Sequence, residues 1–333
     1  MRDRGLMALG MVSLVALTAC QKSELVAGEA LPIVVEAEVI SAFGGSATLA
    51  PGLTFVGGLE LSSDEPLFGA FSSFRFLADD RFLGIFDTGY WIEGTARRDP
   101  DGRLIGLDGV SLAAMLDESG RESRKMLVDA ESLALRDGEV YVGFEQRHRV
   151  VQYAPVSALH EARPSAPLAL PFDTGALRNN GGLETLVVAP SESVLGPALV
   201  AISEKSVDQN GNNIAGILDG SLQGEFRVRP RDGFDITDGV FLPNGDLVLL
   251  ERRFAISTGV AMRLRRIAAD AIRPGAIVDG EVILEADHAS QIDNMEGIDA
   301  RSADDGSVRL TLVSDDNHSL LQRTLMLEFR LER

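Results

Sequence analysis

The side chains best suited to chemistry in this sequence are four carboxylates, each standing directly before an apolar run. Glu131 lies in "DAESLAL", Glu184 in "NGGLETLVV", Asp238 in "ITDGVFL" and Glu296 in "NMEGIDA". Carboxylates brought together in one place can bind a hard divalent cation or exchange protons with a substrate. Either chemistry requires a fold that places these acids side by side.

The four acids are the leading residues of a repeat. Each is followed by an apolar strand, a turn, a second strand and a second acid, and these second acids are Glu145, Glu204, Glu251 and Asp315. A weaker copy runs from Ser72 to Asp87. The leading positions 72, 131, 184, 238 and 296 are therefore 59, 53, 54 and 58 residues apart. A period of this length suits the four-stranded blade of a β-propeller with generous loops.

Local patterns predict an all-β chain. The segments that read as strands, several of them after Asn-Gly or Asp-Gly turns, are "EVYVGFE" (139–145), "ALVAIS" (198–203), "DLVLLE" (246–251) and "VRLTLVS" (308–314). The segments typical of helices are brief, such as "SLAAMLDESG" (111–120) and "VSALHEA" (156–162). We therefore predict a β-propeller of five or six blades of about 55 residues each. A β-sandwich is the alternative, but it would not explain the repeat.

Ring closure predicts how the two ends of the domain meet. The segments "PIVVEAEVI" (32–40) and "TLMLEFRL" (324–331) both read as strands, and we expect one blade to combine them. The innermost strand of each blade lines the central channel, so residues at the same place in each repeat meet around the axis. Glu131, Glu184, Asp238 and Glu296 should form one ring at the channel mouth, with the second acids beside it.

Charge and composition exclude some functions. The chain has 333 residues, 45% of them hydrophobic, and a formal net charge of −19. This composition excludes a disordered protein, and the charge argues against nucleic acid as a partner, because phosphate backbones require dense Lys and Arg. We expect a monomer that acts on a small-molecule substrate.

The first residues predict export and lipid attachment. A charged start with Arg2 and Arg4 is followed by an apolar stretch (6–19) that is too short to span a membrane but typical of a secretory leader. The stretch ends in "LTAC", which resembles the lipobox of bacterial lipoproteins and implies lipidation of Cys20, the only cysteine. An ordinary signal peptide with an incidental cysteine is the alternative.

These features divide the chain into three parts. Residues 1–19 are predicted to be a lipoprotein signal peptide, residues 20–31 the lipidated cysteine and a flexible tether, and residues 32–333 the propeller domain. The expected location is the cell envelope, on the periplasmic side, with the membrane as a partner through the lipid. Gln21 after the cysteine favours the outer over the inner membrane, by resemblance to lipoprotein sorting signals.

Several phrases resemble the bacterial phytase-like family described as having esterase-like activity of phytase. They are "FSSFRFLADDRFLGIFDTG", "NNGGLETLVV", "DITDGVFLPNGDLVLLERRF" and "SDDNHSLLQRTLMLEF". The resemblance runs from about residue 50 to the end. It implies a β-propeller with recurring Glu and Asp, and its name suggests hydrolysis of phosphoesters. The family's usual opening of the first blade is only partly kept, as "AFSSF".

The ring predicts a metal site. Oxygen ligands without clustered Cys or His favour Ca²⁺ or Mg²⁺ over zinc, and no organic cofactor is expected. The predicted metal ligands are Glu131, Glu184, Glu296 and Asp315. Such an ion would remove the repulsion between crowded carboxylates.

A hydrolase would also need a base and a cation for the substrate. Asp238 or Glu204 is the predicted general base, and Arg252 or Arg323 would neutralise developing phosphate charge. Lys205 is a further phosphate contact to consider.

Two other functions stay open. The acids could simply hold blades together in a non-catalytic binding or scaffold module of the envelope. Alternatively, the protein could be a calcium-dependent, lactonase-like hydrolase of an uncharged substrate. Because propellers host many functions, the fold alone does not choose among them.

Overall fold

The computed structural model describes residues 25–122 and 129–332, and within them the strands form five sheets, the blades of a propeller. The predicted signal peptide and Cys20 lie outside the described residues. Of the helices in the described part, none has the length and apolar character needed to cross a membrane.

Blades one and two are neighbours in the ring. Blade one contains β1 (Ala30–Pro32), β5 (Phe71–Phe76), β6 (Arg81–Phe86), β7 (Tyr90–Arg98) and β8 (Leu104–Ala114), in the spatial order β1-β8-β7-β6-β5. Blade two contains β9 (Ala130–Arg136), β10 (Glu139–Phe144) and β11 (Arg149–Tyr153), in the order β11-β10-β9.

The next two blades each gain an extra edge strand. Blade three contains β12 (Leu183–Val188), β13 (Leu199–Val207), β14 (Asn213–Ile217), β15 (Gly224–Val228) and β19 (Ile277–Val278), in chain order. Blade four contains β16 (Asp235–Phe241), β17 (Leu247–Ala255), β18 (Gly259–Ile267), β20 (Glu281–Asp287) and β3 (Thr48–Leu49), in the order β16-β17-β18-β20-β3. Three single-turn 3₁₀ helices lie in the described loops, at Val156–Ala158, Thr174–Ala176 and Ala269–Ala271.

The fifth blade closes the ring as predicted. It combines β2 (Glu36–Ile40) and β4 (Leu53–Ser62) with β21 (Asn294–Ser302), β22 (Val308–Asp315) and β23 (Thr324–Leu331), in the order β2-β4-β23-β22-β21. The C-terminal strand pairs with β4 along its whole length, from Thr324 opposite Leu61 to Leu331 opposite Leu53. The propeller prediction is confirmed, and its blade number is five.

Two local predictions are corrected. Residues 111–120 are not a helix, because Leu112 and Ala113 continue β8 and pair with Ile92 and Trp91 of β7. Residues 156–162 hold only one 3₁₀ turn. At the start of the domain, Ala30 and Leu31 of the predicted tether are paired with β8.

The core lies between the blades. One cluster of buried apolar residues fills each of the five gaps between neighbouring sheets, so every sheet is covered on both faces. In β17, Leu247 and Leu249 face blade three, whereas Val248 and Leu250 face blade five. This two-sided burial explains why the strands read as continuous apolar runs.

Candidate functional site at the mouth of the propeller

The inner strands β5, β9, β12, β16 and β21 each begin at one end of the channel, which we call the mouth. Each has an irregularity of register near its start, where one residue is skipped by the pairing. The skipped residues are Ser72, Glu131, Glu184, Thr237 and Glu296. A β-bulge of this kind re-aims a side chain, and here it recurs in every blade.

This register corrects the prediction for blade four. Ile236 pairs with Glu251 and Asp238 with Leu250, so the residue at the bulge is Thr237. Asp238 is one place further along the strand, and a one-residue shift turns a side chain to the other face. Blade four therefore has a hydroxyl at the position where blades two, three and five have acids, and this buried hydroxyl donates to the carbonyl of Met295 at 3.0 Å.

The second position shifts in the same way. In each blade, the residue just before the bulge pairs with a residue of the second strand. The residues that directly follow these partners in the chain are Asp87, Glu145, Glu204, Arg252 and Asp315, from blade one to blade five. Blade four thus contributes Arg252 and not Glu251. Glu251 is fully buried and accepts hydrogen bonds from Arg263 and Arg265 of β18, so it does not join the mouth.

Asp238 belongs to a buried ion pair. Both of its oxygens accept from the Arg75 guanidinium, at 2.8 and 3.0 Å, and further bonds come from Ser73 and the backbone N–H of Gly239 and Ile298. With its oxygens occupied in this way and its side chain fully buried, Asp238 is not suited to be a general base. That expectation is corrected.

Arg75, the partner of Asp238, also connects several blades. Its guanidinium also donates to the carbonyls of Ile298 and Leu186, at 2.8 and 3.1 Å. One side chain from blade one therefore bonds to blades three, four and five across the channel. The pair therefore links four of the five blades around the channel axis.

Three carboxylates meet on the side of blade two. Asp129, Glu131 and Glu145 each offer an oxygen, and these atoms all lie within 4.8 Å of one another. Glu145 also accepts from the backbone N–H of Gly181, at 2.7 Å, and of Gly182. The Asn-Gly-Gly segment before β12 is therefore held against blade two by this acid.

The opposite side of the mouth is built around Arg252. Its guanidinium lies 3.0 Å from Glu296 and 3.4 Å from Glu204, and it also donates to the side-chain oxygen of Asn294. The Asn294 amide in turn donates to Glu296 at 2.9 Å and to Asp315 at 3.3 Å. These contacts fix both the cation and the acids.

Two further cations lie outside this group. Lys205 contacts Glu204 at 2.7 Å and Asp235 at 3.3 Å, and its side chain is more exposed than that of Arg252. Arg323, a predicted phosphate contact, instead contacts Glu60 and Asp293, at 3.3 and 3.6 Å. It has a structural place in blade five and does not belong to the mouth.

Burial and like charge raise the pKa of the mouth acids. Burial comes first for Glu131, followed by the charges of Asp129 and Glu145, and its pKa lies well above the usual value. The pKa of Glu184 is raised in the same way, by burial and then by Glu131 and Glu204.

The pKa values of Glu296 and Asp315, the acids beside Arg252, are also raised. Burial raises the pKa of Glu296 to about 8, although Arg252 opposes the change. Burial also raises the pKa of Asp315 to about 7, against the backbone hydrogen bond from Asn317. Burial acts to lower the pKa of Arg252, but the charges of Glu296, Glu204 and Glu184 together outweigh it and keep the pKa raised, so Arg252 remains a cation.

The predicted metal ligands Glu131, Glu184, Glu296 and Asp315 thus all lie around the mouth, together with Glu204 and Arg252. Sequence reasoning missed Asp129, Asn294 and Thr237. Asp129 stands two residues before Glu131, and only the loop geometry turns it toward the same point. The equal spacing of 53 residues from 131 to 184 and from 184 to 237 was the available signal for Thr237.

None of the curated proteins matches this chain significantly. Among solved structures, a protein with a provisional gluconolactonase name is 10% identical, with 91% of this chain and 96% of that chain covered and a TM-score of 0.42. A protein of unknown function from Dyadobacter fermentans DSM 18053 is 11% identical, with coverages of 90% and 99% and a TM-score of 0.41. Regucalcin, a calcium-binding protein from Agrobacterium tumefaciens strain C58, is 12% identical, with coverages of 90% and 95% and a TM-score of 0.37. Scores this low carry no argument about the present chain.

The family comparison is more specific. The family model described as "Phytase-like: Esterase-like activity of phytase" matches residues 66–318, which is more than half of the chain. The matched segment contains the inner strand of every blade and all of the mouth residues described above. The chain therefore belongs to the phytase-like family.

Proposed function

We propose that this protein is a cell-envelope hydrolase, held at the membrane by a lipid on Cys20, that uses a divalent cation in its mouth to cleave a phosphoester or a related small ester. The observation that carries this proposal is the concentration of partly or fully buried carboxylates around one point. Burying several like charges together is costly unless a cation compensates them. Arg252 compensates only the side of the mouth formed by blades three to five.

The acids on the other side fit a hard cation. Asp129, Glu131 and Glu145 present oxygens within 4.8 Å of one another, and Glu184 is close enough to interact electrostatically with Glu131. Carboxylate oxygens without sulfur or imidazole are the ligands that Ca²⁺ and Mg²⁺ prefer. When bound, such an ion would supply positive charge and polarise a phosphoryl or carbonyl group of the substrate.

Two residues of the other side would act directly on the substrate. Arg252 is a fixed cation at the edge of the acid cluster and would bind the negative charge of a phosphoester. Glu296, beside it, has a pKa of about 8 and can give or take a proton near neutral pH. Glu204 is less accessible to a substrate, because its carboxylate is paired with Lys205 at 2.7 Å and with Arg252 at 3.4 Å.

A non-catalytic scaffold is the second candidate, and specific contacts favour it. Glu145 bonds the backbone before β12, and Glu204 bonds Arg252 of blade four, so both acids join neighbouring blades. If this were their only role, the mouth would need neither a metal nor a substrate.

Calcium titration by calorimetry on the chelator-stripped protein decides between the two. We expect binding in the parent, and loss of that binding in Glu131→Gln with the fold retained. Glu285→Gln is the matched control, because Glu285 is exposed on β20 and lies outside the mouth. A parent that binds no divalent cation would remove the basis for the hydrolase and leave the scaffold.

A hydrolysis screen then defines the substrate class. Aryl phosphates, phosphodiesters, aryl esters and lactones would be offered with Ca²⁺, with Mg²⁺ and with chelator. Metal-dependent turnover of phosphoesters that is lost in Glu296→Gln supports the proposal. Opening of lactones without phosphatase activity would instead identify the lactonase-like alternative.

A further inference from the structure

We infer that the mouth face of the propeller lies against a lipid bilayer, with the loop tips of blades four and five in contact with the membrane surface. The inference rests on the lipid anchor of the proposed function, but it concerns other residues. The mouth face is the end of the propeller at which the five inner strands begin.

The first observation is a group of exposed apolar side chains on that face. Strand β17 ends at Ala255 beyond Arg252, and β22 ends at Asp315, so the loops that follow both strands project from the mouth face. The large apolar residues at these two tips are Phe254, at the end of β17, and Ile256, Leu320 and Leu321 of the loops, which are 75, 98, 104 and 93% exposed. Blades four and five are neighbours, so these side chains belong to adjacent tips. Side chains of this size are rarely left so fully exposed in groups unless they meet a partner.

The second observation is the charge of the same tips. The chain carries a net charge of −19, yet the turn after β17, residues 256–259, reads Ile-Ser-Thr-Gly and contains no acid. In the loop after β22, Asp316 accepts bonds from the backbone of Ala70 and the hydroxyl of Thr324, so it is engaged within the protein. The exposed residues of that loop are Asn317, His318, Leu320 and Leu321, and none of them is acidic. Loops whose exposed residues include no acid can approach a membrane that carries negative charge.

The third observation is the path of the chain toward Cys20. Ala30 pairs with Ala113, near the end of β8, and the neighbouring Ala114 lies opposite Tyr90 at the mouth end of blade one. Leu25 packs against the core between blades five and one. The chain therefore enters the domain on the mouth face.

The length of this connection limits the distance to the membrane. Only five residues lead from Cys20 to Leu25, and an extended chain spans about 3.4 Å per residue. A lipid on Cys20 would hold Leu25 within about 17 Å of the bilayer surface. With the lipid in place, a connection this short would turn the mouth face and its apolar tips toward the bilayer, and substrate would reach the mouth at the membrane surface.

Environment-sensitive probes test the orientation. The full chain, made with its leader in a bacterial host, would carry a single new cysteine at Ile256→Cys or Leu321→Cys, labelled with a polarity-sensitive dye and reconstituted in vesicles of zwitterionic and anionic phospholipid. Val194→Cys is the matched control, because Val194 is 59% exposed on the loop between β12 and β13, at the opposite end of the blades. A parent without an added cysteine measures any labelling at Cys20 itself.

We expect a blue shift of the dye at 256 and 321, and quenching by lipid-attached quenchers, with neither change at 194. Adding Leu320→Ser to the Ile256→Cys protein should weaken the shift without unfolding the exposed loop. Equal spectra at 256 and 194 on vesicles would overturn the inference, as would a protein that sediments as a dimer through these tips. Mass spectrometry of Cys20 separates the two proposals. A lipidated Cys20 with unchanged dye spectra would support the anchor and reject the orientation. A blue shift of the dyes without lipid on Cys20 would support the orientation alone.

Discussion

Glu296 provides a quantitative test of how the mouth acids affect stability. Burial raises the pKa of this carboxyl from 4.5 to about 8, although Arg252 lies 3.0 Å away. A group whose pKa is raised on folding stabilises the folded state below its unfolded pKa and loses that contribution as pH rises through the folded value. The free energy of unfolding of the cation-free protein should therefore fall between pH 4.5 and 8.

The size of the effect follows from the shift. Each pKa unit corresponds to about 1.4 kcal/mol, so ionised Glu296 costs the folded protein on the order of 5 kcal/mol at pH 9. Its side chain is only 13% exposed, so little of this cost is screened by solvent. Glu296→Gln keeps the shape and the hydrogen bond from Asn294 but cannot ionise. We expect the variant to nearly match the parent near pH 5 and to exceed it by roughly 5 kcal/mol at pH 9.

Thermal denaturation in chelator, followed from pH 5 to pH 9, measures this difference. For a chain of this size 5 kcal/mol corresponds to a shift of roughly 7 °C in Tm. Glu285→Gln should follow the parent at every pH. If Glu296→Gln were less stable than the parent at pH 9, the ion pair with Arg252 would outweigh the burial of Glu296, and the account of the mouth as a region of electrostatic conflict would be refuted.

Three further outcomes are expected. Asp238→Asn should lower the free energy of unfolding by about 3 to 5 kcal/mol, because it leaves Arg75 buried without its counter-charge, while calorimetry on protein that remains folded shows unchanged calcium affinity. Arg252→Gln should raise calcium affinity, since a competing positive charge is gone, and should lower kcat/KM for a phosphoester more than for an uncharged ester; equal losses on both substrates would argue against contact with the phosphate. Calcium at 100 times its Kd at pH 8 should stabilise the parent by about 2.7 kcal/mol at that pH. The same calcium concentration should stabilise it by much less at pH 5, where protonation competes for the ligand oxygens, and a denaturation series at both pH values measures the difference.

The architecture could be predicted from the sequence because it depends on many residues at once. Five repeats of acid, strand, turn and strand each bury apolar residues on two sides, and no single position decides the pattern. The closing blade was predictable for the same reason, since both terminal segments read as strands and a ring leaves them only each other. Short helix-like stretches such as 111–120 were misread because Leu112 and Ala113 suit either element, and pairing with β7 decided the outcome.

The site itself depended on single residues, and the sequence was less informative there. A bulge is a property of two paired strands, so one strand's sequence does not show which residue the pairing skips. In "ITDGVFL" the acid suggested Asp238, but the bulge falls on Thr237 and sends Asp238 to Arg75. The same shift exchanges Glu251 for Arg252 at the second position.

This exchange changes what the mouth can do. A ring with acids from every blade would be a site for cations alone, and any anionic substrate would be repelled by it. Blade four instead supplies a hydroxyl at Thr237 and a cation at Arg252, whereas blades two, three and five supply acids at both positions. The result is an acidic half suited to a metal beside a half with a fixed positive charge, so both could contact one phosphate. The departure of blade four from the repeat is therefore the feature that best distinguishes a site for a charged ester from a ring that only holds blades together.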